Sequence, residues 1–358
     1  MANELEIFAK RLKSARVMAK LSMEGLSQAM DGLVSKQTIS KYENAKMLPS
    51  SLILIALAKA LSVDLDYFFR PYFFDMSDIE VSFRSKRSVN AKDEASLKEK
   101  IHDSIERYLA IEEILGIKNS FSAKVSEAPI QNIQDMWMRA QKLRIEWKLG
   151  DAPITNVQSL LESHNIRVIL LNDVPDGFDG LSGFINDKYP VIVANMNKIA
   201  ERQRLTMLHE LAHLLYNQYF SDDLSEHDKE NLCNAFACEM LIPQSLIETT
   251  FKRNRKGVSL TELCPLQHNY GVSIDAIILK AHQMDLMSES RYRGYFIRKN
   301  QSDSFRRYAE DSRFNEKPTD RFEALVYGAI AQDLITESKA ASLLDISLDE
   351  VRNKLNIV

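Results

Sequence analysis

The sequence of 358 residues has little of three things: cysteine, net charge and long apolar runs. Its three cysteines, Cys233, Cys238 and Cys264, form no C-x-x-C pair, so we expect buried thiols in a reducing cytoplasm instead of a disulfide framework. No apolar run approaches the roughly 18 residues that a membrane helix needs, and the opening stretch MANELEIFAKRLK lacks the apolar core of a signal peptide. These absences predict a cytoplasmic protein with no membrane partner.

The charge balance is close to even, with 46 Lys and Arg against 50 Asp and Glu and a formal net charge of −4. Such a balance gives no global nucleic-acid signature, so a basic surface has to be sought locally. Hydrophobic residues at 45% and charged residues at 27% are ordinary for a globular protein. The length suggests two or three domains with sizeable cores.

Residues 4 to 69 have the pattern of a compact all-helical unit. An amphipathic stripe from Leu5 to Ala15 opens it, and an apolar helix from Ser51 to Leu61 closes it. Residues 1–70 contain ten Lys or Arg and seven Asp or Glu, which leaves a net charge of +3. This part of the chain is therefore locally basic, although a helical bundle with a solvated charged face would have the same composition.

The segment VSKQTISKYENAKMLPS within this unit resembles the recognition helix and following turn of Xre-type helix-turn-helix repressors. Ile39 and Tyr42 are predicted to face the core. The predicted outward-facing residues are Lys36, Gln37, Thr38 and Lys41. Gln can bond an adenine edge in two places and Lys can reach guanine or phosphate, which suits a major groove. The resemblance implies binding to a double-stranded DNA operator, commonly by a homodimer.

The stretch RQRLTMLHELAHLL, from Arg202 to Leu215, contains an H-E-x-x-H pattern. On a helix, His209 and His213 project from the same face one turn apart, where two imidazoles can hold one tetrahedral zinc ion. Glu210 lies about 100° round the helix, where it can reach a water molecule at the metal without being a ligand, as a general base requires. The alternative is a buried structural helix, although the residue frequencies give only roughly 0.02 chance matches in a chain of this composition.

A third ligand is expected in the segment EHDKENLCNAFACEMLIP, residues 226–243, whose periodicity predicts a second helix. Glu230 is the predicted ligand, and Asn234 one turn later is the predicted hydrogen-bond partner that holds it in place. The rivals for the ligand position are Glu226, His227 and Asp228.

The combination of HELAHLL with ENLCNAFACEMLIP resembles the ImmA/IrrE family of metallopeptidases, over about residues 155 to 290. In that family the second helix typically supplies a glutamate before a C-N-x-F-A segment. The resemblance implies a bound Zn²⁺ ion held by His209, His213 and Glu230, with Glu210 as the catalytic base. The candidates for stabilising an oxyanion are Tyr216, Tyr219 and His227.

Three short apolar segments upstream of the histidines, residues 166–171, 180–186 and 190–195, are predicted strands. A small sheet directly before such a helix is the arrangement of many zinc peptidases, where an edge strand pairs with the extended substrate. The 180–195 hairpin is the proposed edge, although a plain core hairpin would have the same sequence pattern. RGYFIRK, residues 293–299, is predicted as a late strand.

The predicted fold class is therefore α+β and mostly α. Its predicted divisions are a helix-turn-helix domain at 1–70, a connector with a long helix at 71–125, a zincin-like peptidase domain at 126–290, and a C-terminal helical unit at 291–358. The last division is predicted to hold helices near 321–334, 337–344 and 347–355.

Two functional hypotheses follow. The first is a DNA-binding transcriptional regulator with a zinc endopeptidase domain. The family resemblance implies that the substrate is a repressor-type protein, in a phage, mobile-element, stress or toxin-antitoxin setting, and self-cleavage would also unite the two parts. The second is a non-enzymatic repressor or antitoxin whose zinc site is structural or sensory and whose C-terminal two-thirds hold a partner. A closed site with a fourth protein ligand would favour the second hypothesis, because a catalytic site keeps one position open.

Overall fold

The computed structural model describes residues 4–72, 90–118, 121, 128–186, 188–252, 257–314 and 321–355. These residues form many helices and one three-stranded sheet, which confirms the predicted α+β, mostly α class. No helix among the described residues is both long enough and apolar enough to cross a bilayer. All three cysteines are free thiols; Cys233 and Cys238 are buried, as predicted, whereas Cys264 is half-buried. Residues 73–89, in the first part of the predicted connector, lie outside the described residues, and the boundaries of the four predicted divisions stay predictions.

The N-terminal unit is a bundle of short helices around its own apolar core. Its elements are α1 (Glu4–Met18), α2 (Met23–Ala29), α3 (Lys36–Glu43), α4 (Ser51–Leu61) and a 3₁₀ turn (Leu65–Phe69). Serine side chains cap the N-termini of α2 and α3: Ser22 accepts a hydrogen bond from Gly25 N–H, and Ser35 accepts one from Thr38 N–H. Such caps satisfy backbone donors that the first turn leaves without partners, so they define where each helix starts. The core of this bundle includes Phe8, Leu26, Ile39, Tyr42, Leu57 and Phe68.

The long helix α5 (Ala91–Ile114) contacts three parts of the molecule: polar side chains bind the N-terminal bundle, and apolar side chains pack against the sheet and against the C-terminal helices. Near its start, Ser96 Oγ donates to the carbonyl of Met18. In its middle, the Glu106 carboxylate pairs with the Arg11 guanidinium at 2.5 Å, and both side chains are buried. Leu97, Ile101 and Ile105 pack against the sheet, and Ala110 and Ile111 pack against the C-terminal helices.

The largest core lies in the middle of the chain and is built around the sheet and the helices that follow it. Its elements are α6 (Ile133–Glu146), α7 (Val157–Ser163), β1 (Arg167–Leu171), β2 (Gly180–Ile185), β3 (Tyr189–Asn195), α8 (Ala200–Tyr216), α9 (Glu226–Leu241), α10 (Gln244–Phe251), α11 (Leu260–Tyr270) and α12 (Ile274–Gln283). The strand order is β1-β3-β2, with β1 parallel and β2 antiparallel to β3. Among the described residues, β2 is therefore an edge strand, as predicted for the hairpin.

The segment predicted as a late strand is helical, so that prediction is wrong. Residues 293–299 lie in α13 (Glu289–Gln301), which is followed by α14 (Asp303–Glu310). The aromatic and β-branched residues of RGYFIRK favour a strand in isolation. Burial instead follows a helical spacing: Tyr295 and Lys299 are buried and Tyr292 and Phe296 pack against the central core. Tertiary burial of one helical face has overridden the local preference.

The C-terminal helices α15 (Arg321–Ala331), α16 (Glu337–Leu344) and α17 (Leu348–Lys354) lie close to the predicted positions. They form a small apolar cluster together with α5. Lys339 Nζ also lies 3.0 Å from Asp66 Oδ2, so this unit contacts the N-terminal bundle.

Candidate functional site

The two histidines of α8 and a glutamate of α9 point at one place. His209 Nε2 lies 3.1 Å from His213 Nε2, and the Glu230 carboxylate oxygens lie 3.2 Å from the first and 3.4 Å from the second. The geometry follows from the crossing of α8 and α9, because His209 and His213 are one turn apart on one helix and Glu230 faces them from the other. Among the described residues, these three form the one group with the composition and closeness of a metal site.

These separations fit a tetrahedral ion. Ligands bound at about 2.0–2.1 Å with tetrahedral angles lie about 3.3 Å from one another. The three measured distances are close to that value, and two imidazoles with one carboxylate are a donor set that suits zinc. Three such ligands would leave a fourth coordination position open. Of the rival ligands, Glu226 pairs with Lys229 and Asp228 with Ser225, and His227 lines the same pocket without joining the group of three.

The two helices also fix how the histidine rings are turned. His209 Nδ1 lies 3.0 Å from Asn234 Oδ1, which accepts a hydrogen bond when Nδ1 carries the proton. We predicted Asn234 as the partner of Glu230, whereas here it orients His209, because it lies one helical turn after Glu230 and faces the same rings. A proton on Nδ1 leaves Nε2 with a lone pair for a metal. The ring of His213 stands nearly edge-on to that of His209, with centroids 4.8 Å apart.

Glu210 lies beside the triad without joining it. Ser182 Oγ on β2 donates to Glu210 Oε2 at 2.8 Å. Burial raises the pKa of Glu210, and the charges of His209 and His213 and the Ser182 hydrogen bond oppose that rise. Hydrogen bonds to His209 and His213 hold the pKa of Glu230 well below its usual range. The two carboxyl groups therefore differ: Glu230 stays ionised beside the two imidazoles, whereas Glu210 holds a proton more readily than a free glutamate.

Strand β2 contributes two residues that the sequence analysis missed. The first is Ser182, described above. The second is Gly180, where an added Cβ would lie 2.6 Å from Thr206 Cγ2 and 2.8 Å from the Val193 carbonyl oxygen. Only glycine lets β2 approach α8 this closely. The glycines of GLSG were the available signal, because glycine inside a strand often marks a close approach of another element.

A cleft of about 670 Å³ opens in front of the triad. It is bounded by β2, by α8, by the start of α9 and by Glu94 and Leu97 of α5. Of the three oxyanion candidates, His227 lines the cleft, whereas Tyr216 is buried against Phe236. Tyr219 lies in a 3₁₀ turn, and its carbonyl accepts from Ile130 N–H. His227 is thus the candidate whose position suits contact with a substrate.

The second candidate surface is the exposed face of α3. Lys36, Gln37 and Lys41 are exposed, and Thr38 is half-buried with its hydroxyl 3.1 Å from Ser35 Oγ. Ile39 and Tyr42 are buried, as predicted.

An ion pair holds this helix in place. Glu43 at the end of α3 accepts two hydrogen bonds from Arg16 of α1, at 2.6 and 2.8 Å. The helix is therefore fixed from behind while its polar side chains face outward.

Comparison with protein-family models gives a match for each surface. Residues 12–68 match the model described as helix-turn-helix, and residues 161–282 match the peptidase model described as IrrE N-terminal-like domain. The first range contains α3, and the second contains β2, α8 and α9. No curated protein matches the chain significantly.

Proposed function

Because the chain joins a helix-turn-helix domain to an IrrE N-terminal-like peptidase domain, we propose that it is a DNA-binding regulator whose second domain is a zinc-dependent endopeptidase. The observation that carries the peptidase proposal is the position of Glu210 beside three converging ligands at an open cleft. The assigned ligands are His209, His213 and Glu230. A cleft on the open side favours catalysis over a closed structural site, which would need a fourth protein ligand.

Zinc, when bound, supplies a Lewis acid that acidifies water and polarises a peptide carbonyl. The residues of the chain do the rest. Glu210 accepts a proton from the attacking water and returns it to the leaving amine, and its raised pKa suits both transfers. Ser182 keeps the Glu210 carboxylate turned towards the cleft, while Asn234 keeps the His209 ring in its ligating orientation.

The substrate is proposed to be an extended polypeptide. The edge of β2 lines the cleft and can add a strand by main-chain hydrogen bonds, a common mode of peptide recognition. A repressor-type protein, or the chain itself, in a phage, mobile-element, stress or toxin-antitoxin setting is the proposed target. This part of the proposal rests on the family resemblance.

The helix-turn-helix domain is proposed to bind an operator through Lys36, Gln37, Thr38 and Lys41 on α3. Exposure of Lys36, Gln37 and Lys41 and the local positive charge support this assignment. A homodimer reading two half-sites is the proposed assembly. The setting for such activity is proposed to be the cytoplasm.

The test is the metal content of the purified full chain and of two variants. We expect near-stoichiometric zinc in the wild type and in Glu210→Gln, and loss of zinc in His209→Ala. Glu210→Gln should also lose cleavage of co-encoded partners and of itself by about 10²- to 10⁴-fold, the usual contribution of a general base. No zinc in the wild type after reconstitution, or equal cleavage by Glu210→Gln, would turn the assignment towards a non-enzymatic regulator.

A further inference from the structure

Two neighbouring residues of α9 contact the two histidines of α8 from behind. Asn234 Oδ1 lies 3.0 Å from His209 Nδ1, and Cys233 Sγ lies 3.7 Å from His213 Nδ1. Cys233 is fully buried, so its thiol is held against the ring and shielded from water. Each histidine therefore has one partner from α9 behind it and the shared metal position in front of it.

The direction of the Cys233 contact follows from the chemistry of imidazole. The Nε2 atom of His213 faces His209 and Glu230 and needs a lone pair to bind a metal there. The proton of the neutral ring is then on Nδ1, which makes that nitrogen a donor. The sulfur of Cys233 can accept this hydrogen bond, although a thiol is a weaker acceptor than an amide oxygen.

We propose that Cys233 is a positioning residue that fixes the tautomer and the orientation of His213, as Asn234 does for His209. The inference rests on the proposed function, because it concerns a ligand of the proposed zinc site. The partner of a ligating histidine commonly changes metal affinity by about 10- to 100-fold when it is removed. We expect the lower end of that range for Cys233, because sulfur is a weak acceptor.

The chain offers a matched control on the same helix. Cys238 is also a buried thiol of α9, but its Sγ lies 3.9 Å from the Ala276 carbonyl, on the side of α12. Replacing Cys238 by alanine removes the same atom from the same helix without touching a histidine. A loss that is specific to Cys233 therefore reports the contact with His213 and not the packing of a thiol.

The experiment compares zinc affinity, by competition with a chelator, for the full-length wild type, Cys233→Ala, Cys233→Ser and Cys238→Ala. We expect about a tenfold loss in Cys233→Ala, a smaller loss in Cys233→Ser because its hydroxyl can accept from Nδ1–H, and wild-type affinity in Cys238→Ala. Equal affinity of Cys233→Ala and the wild type would overturn the inference. So would an equal loss in Cys238→Ala.

Spectroscopy of the zinc-loaded wild type and Cys233→Ser separates positioning from other roles, even if Cys233→Ala does not fold. X-ray absorption of the wild type should find only nitrogen and oxygen around zinc, and a sulfur neighbour at about 2.3 Å would instead make Cys233 a ligand. In histidine ¹⁵N spectra, the Nδ1–H signal of His213 should shift in Cys233→Ser while that of His209 stays unchanged. An unshifted His213 signal would overturn the inference.

Failure of this inference is distinguishable from failure of the proposed function. If the wild type binds no zinc, the metal-site assignment fails and the positioning role fails with it. If the wild type binds zinc and Cys233→Ala binds it equally well, the metal site stands and only the role of Cys233 is lost.

Discussion

The two candidate surfaces of the molecule are assembled in opposite ways. The proposed DNA-reading residues lie within six consecutive positions of one helix, α3, and are mostly exposed. The proposed ligands and the glutamate and serine beside them come from β2, α8 and α9, and the side chains of Ser182, His209, Glu210 and Glu230 are at least partly enclosed. A surface on one helix needs only that helix to be held in place, whereas the cleft needs three elements to meet correctly.

This difference predicts how changes at each surface will act. Exposed side chains of α3 can be truncated with little effect on folding, because they make few contacts with the core. Changes in the cleft act through neighbouring elements, because each side chain there is oriented by another. The helix α5 joins the two regions: Glu106 on it binds Arg11 of the N-terminal bundle, and Leu97 on it lines the cleft.

The largest effect is expected from the double variant Lys36→Ala with Gln37→Ala. Two base or phosphate contacts at about 1–3 kcal/mol each would cost about 2–6 kcal/mol of binding free energy. We expect the double variant to lose its footprint on an operator fragment while its zinc content and its unfolding midpoint stay at wild-type values. This outcome would sharpen the contrast, since only one surface would respond.

Lys59→Ala is the control for that experiment, because Lys59 is an exposed lysine of the same bundle on α4 and outside α3. Its footprint should remain close to that of the wild type. Full protection by the double variant would refute α3 as the recognition helix. Loss of zinc in the double variant would instead break the separation between the two surfaces.

The same contrast explains which parts of the site could be predicted from sequence. His209, Glu210 and His213 lie on one helical turn, so their spacing alone placed them together. The recognition helix α3 was recognisable because one continuous segment resembles that of Xre-type repressors. Glu230 could be proposed because a second periodic segment follows closely. Residues whose role depends on a neighbouring element were harder to assign.

Ser182 shows this limit, since a serine in a strand has no spacing rule that links it to a glutamate on a later helix. Asn234 was found, but its contact with His209 depends on how α9 crosses α8. Residues 293–299 are predicted as a strand, although burial of Tyr295 and Lys299 selects a helix. Local pattern identifies elements with one dominant periodicity, and packing decides the rest.

An intermediate effect is expected at the junction, from Glu106→Gln. Loss of one partner of a buried ion pair costs about 3–5 kcal/mol of unfolding free energy, and about 3 kcal/mol is expected here because the amide keeps one hydrogen bond to Arg11. Urea unfolding followed by circular dichroism should show helix loss at lower urea. The urea midpoint followed by the fluorescence of the two tryptophans, Trp137 and Trp147, should fall less than the midpoint followed by circular dichroism. The reason is that α5 keeps its apolar contacts with the sheet.

Glu94→Gln is the control, because Glu94 lies on the same helix but in a half-buried, solvent-accessible pair with Lys98. It should change the unfolding free energy by less than about 1 kcal/mol. If Glu106→Gln shifts both signals equally, the two regions unfold as one unit. The contrast drawn above would then apply to their surfaces only and not to their stability.

The smallest effect is expected from Ser182→Ala, which tests whether the cleft depends on a residue from a separate element. The lost hydrogen bond to Glu210 should lower kcat/KM by about tenfold, or about 1.4 kcal/mol, near the lower end for a bond to a charged group. The Ser182 hydroxyl lowers the pKa of Glu210, so its removal should raise that pKa further. Since the base must be ionised to act, activity should be lost at higher pH than in the wild type as the solution is acidified.

Ser312→Ala is the matched control, because Ser312 Oγ donates to the buried Glu201 at 2.6 Å, outside the cleft. Its removal should lower stability without moving the acid limb of the pH profile.

Ser182→Ala should also change how the free energy of unfolding depends on pH. Because the pKa of Glu210 is raised, the folded state binds this proton more tightly than the unfolded state does. The stability that comes from the bound proton is present at low pH and is lost as pH rises through the folded pKa. In metal-free protein, Ser182→Ala should therefore lose more stability at neutral pH than at acid pH, and an unchanged difference would show that Ser182 does not act through the charge of Glu210.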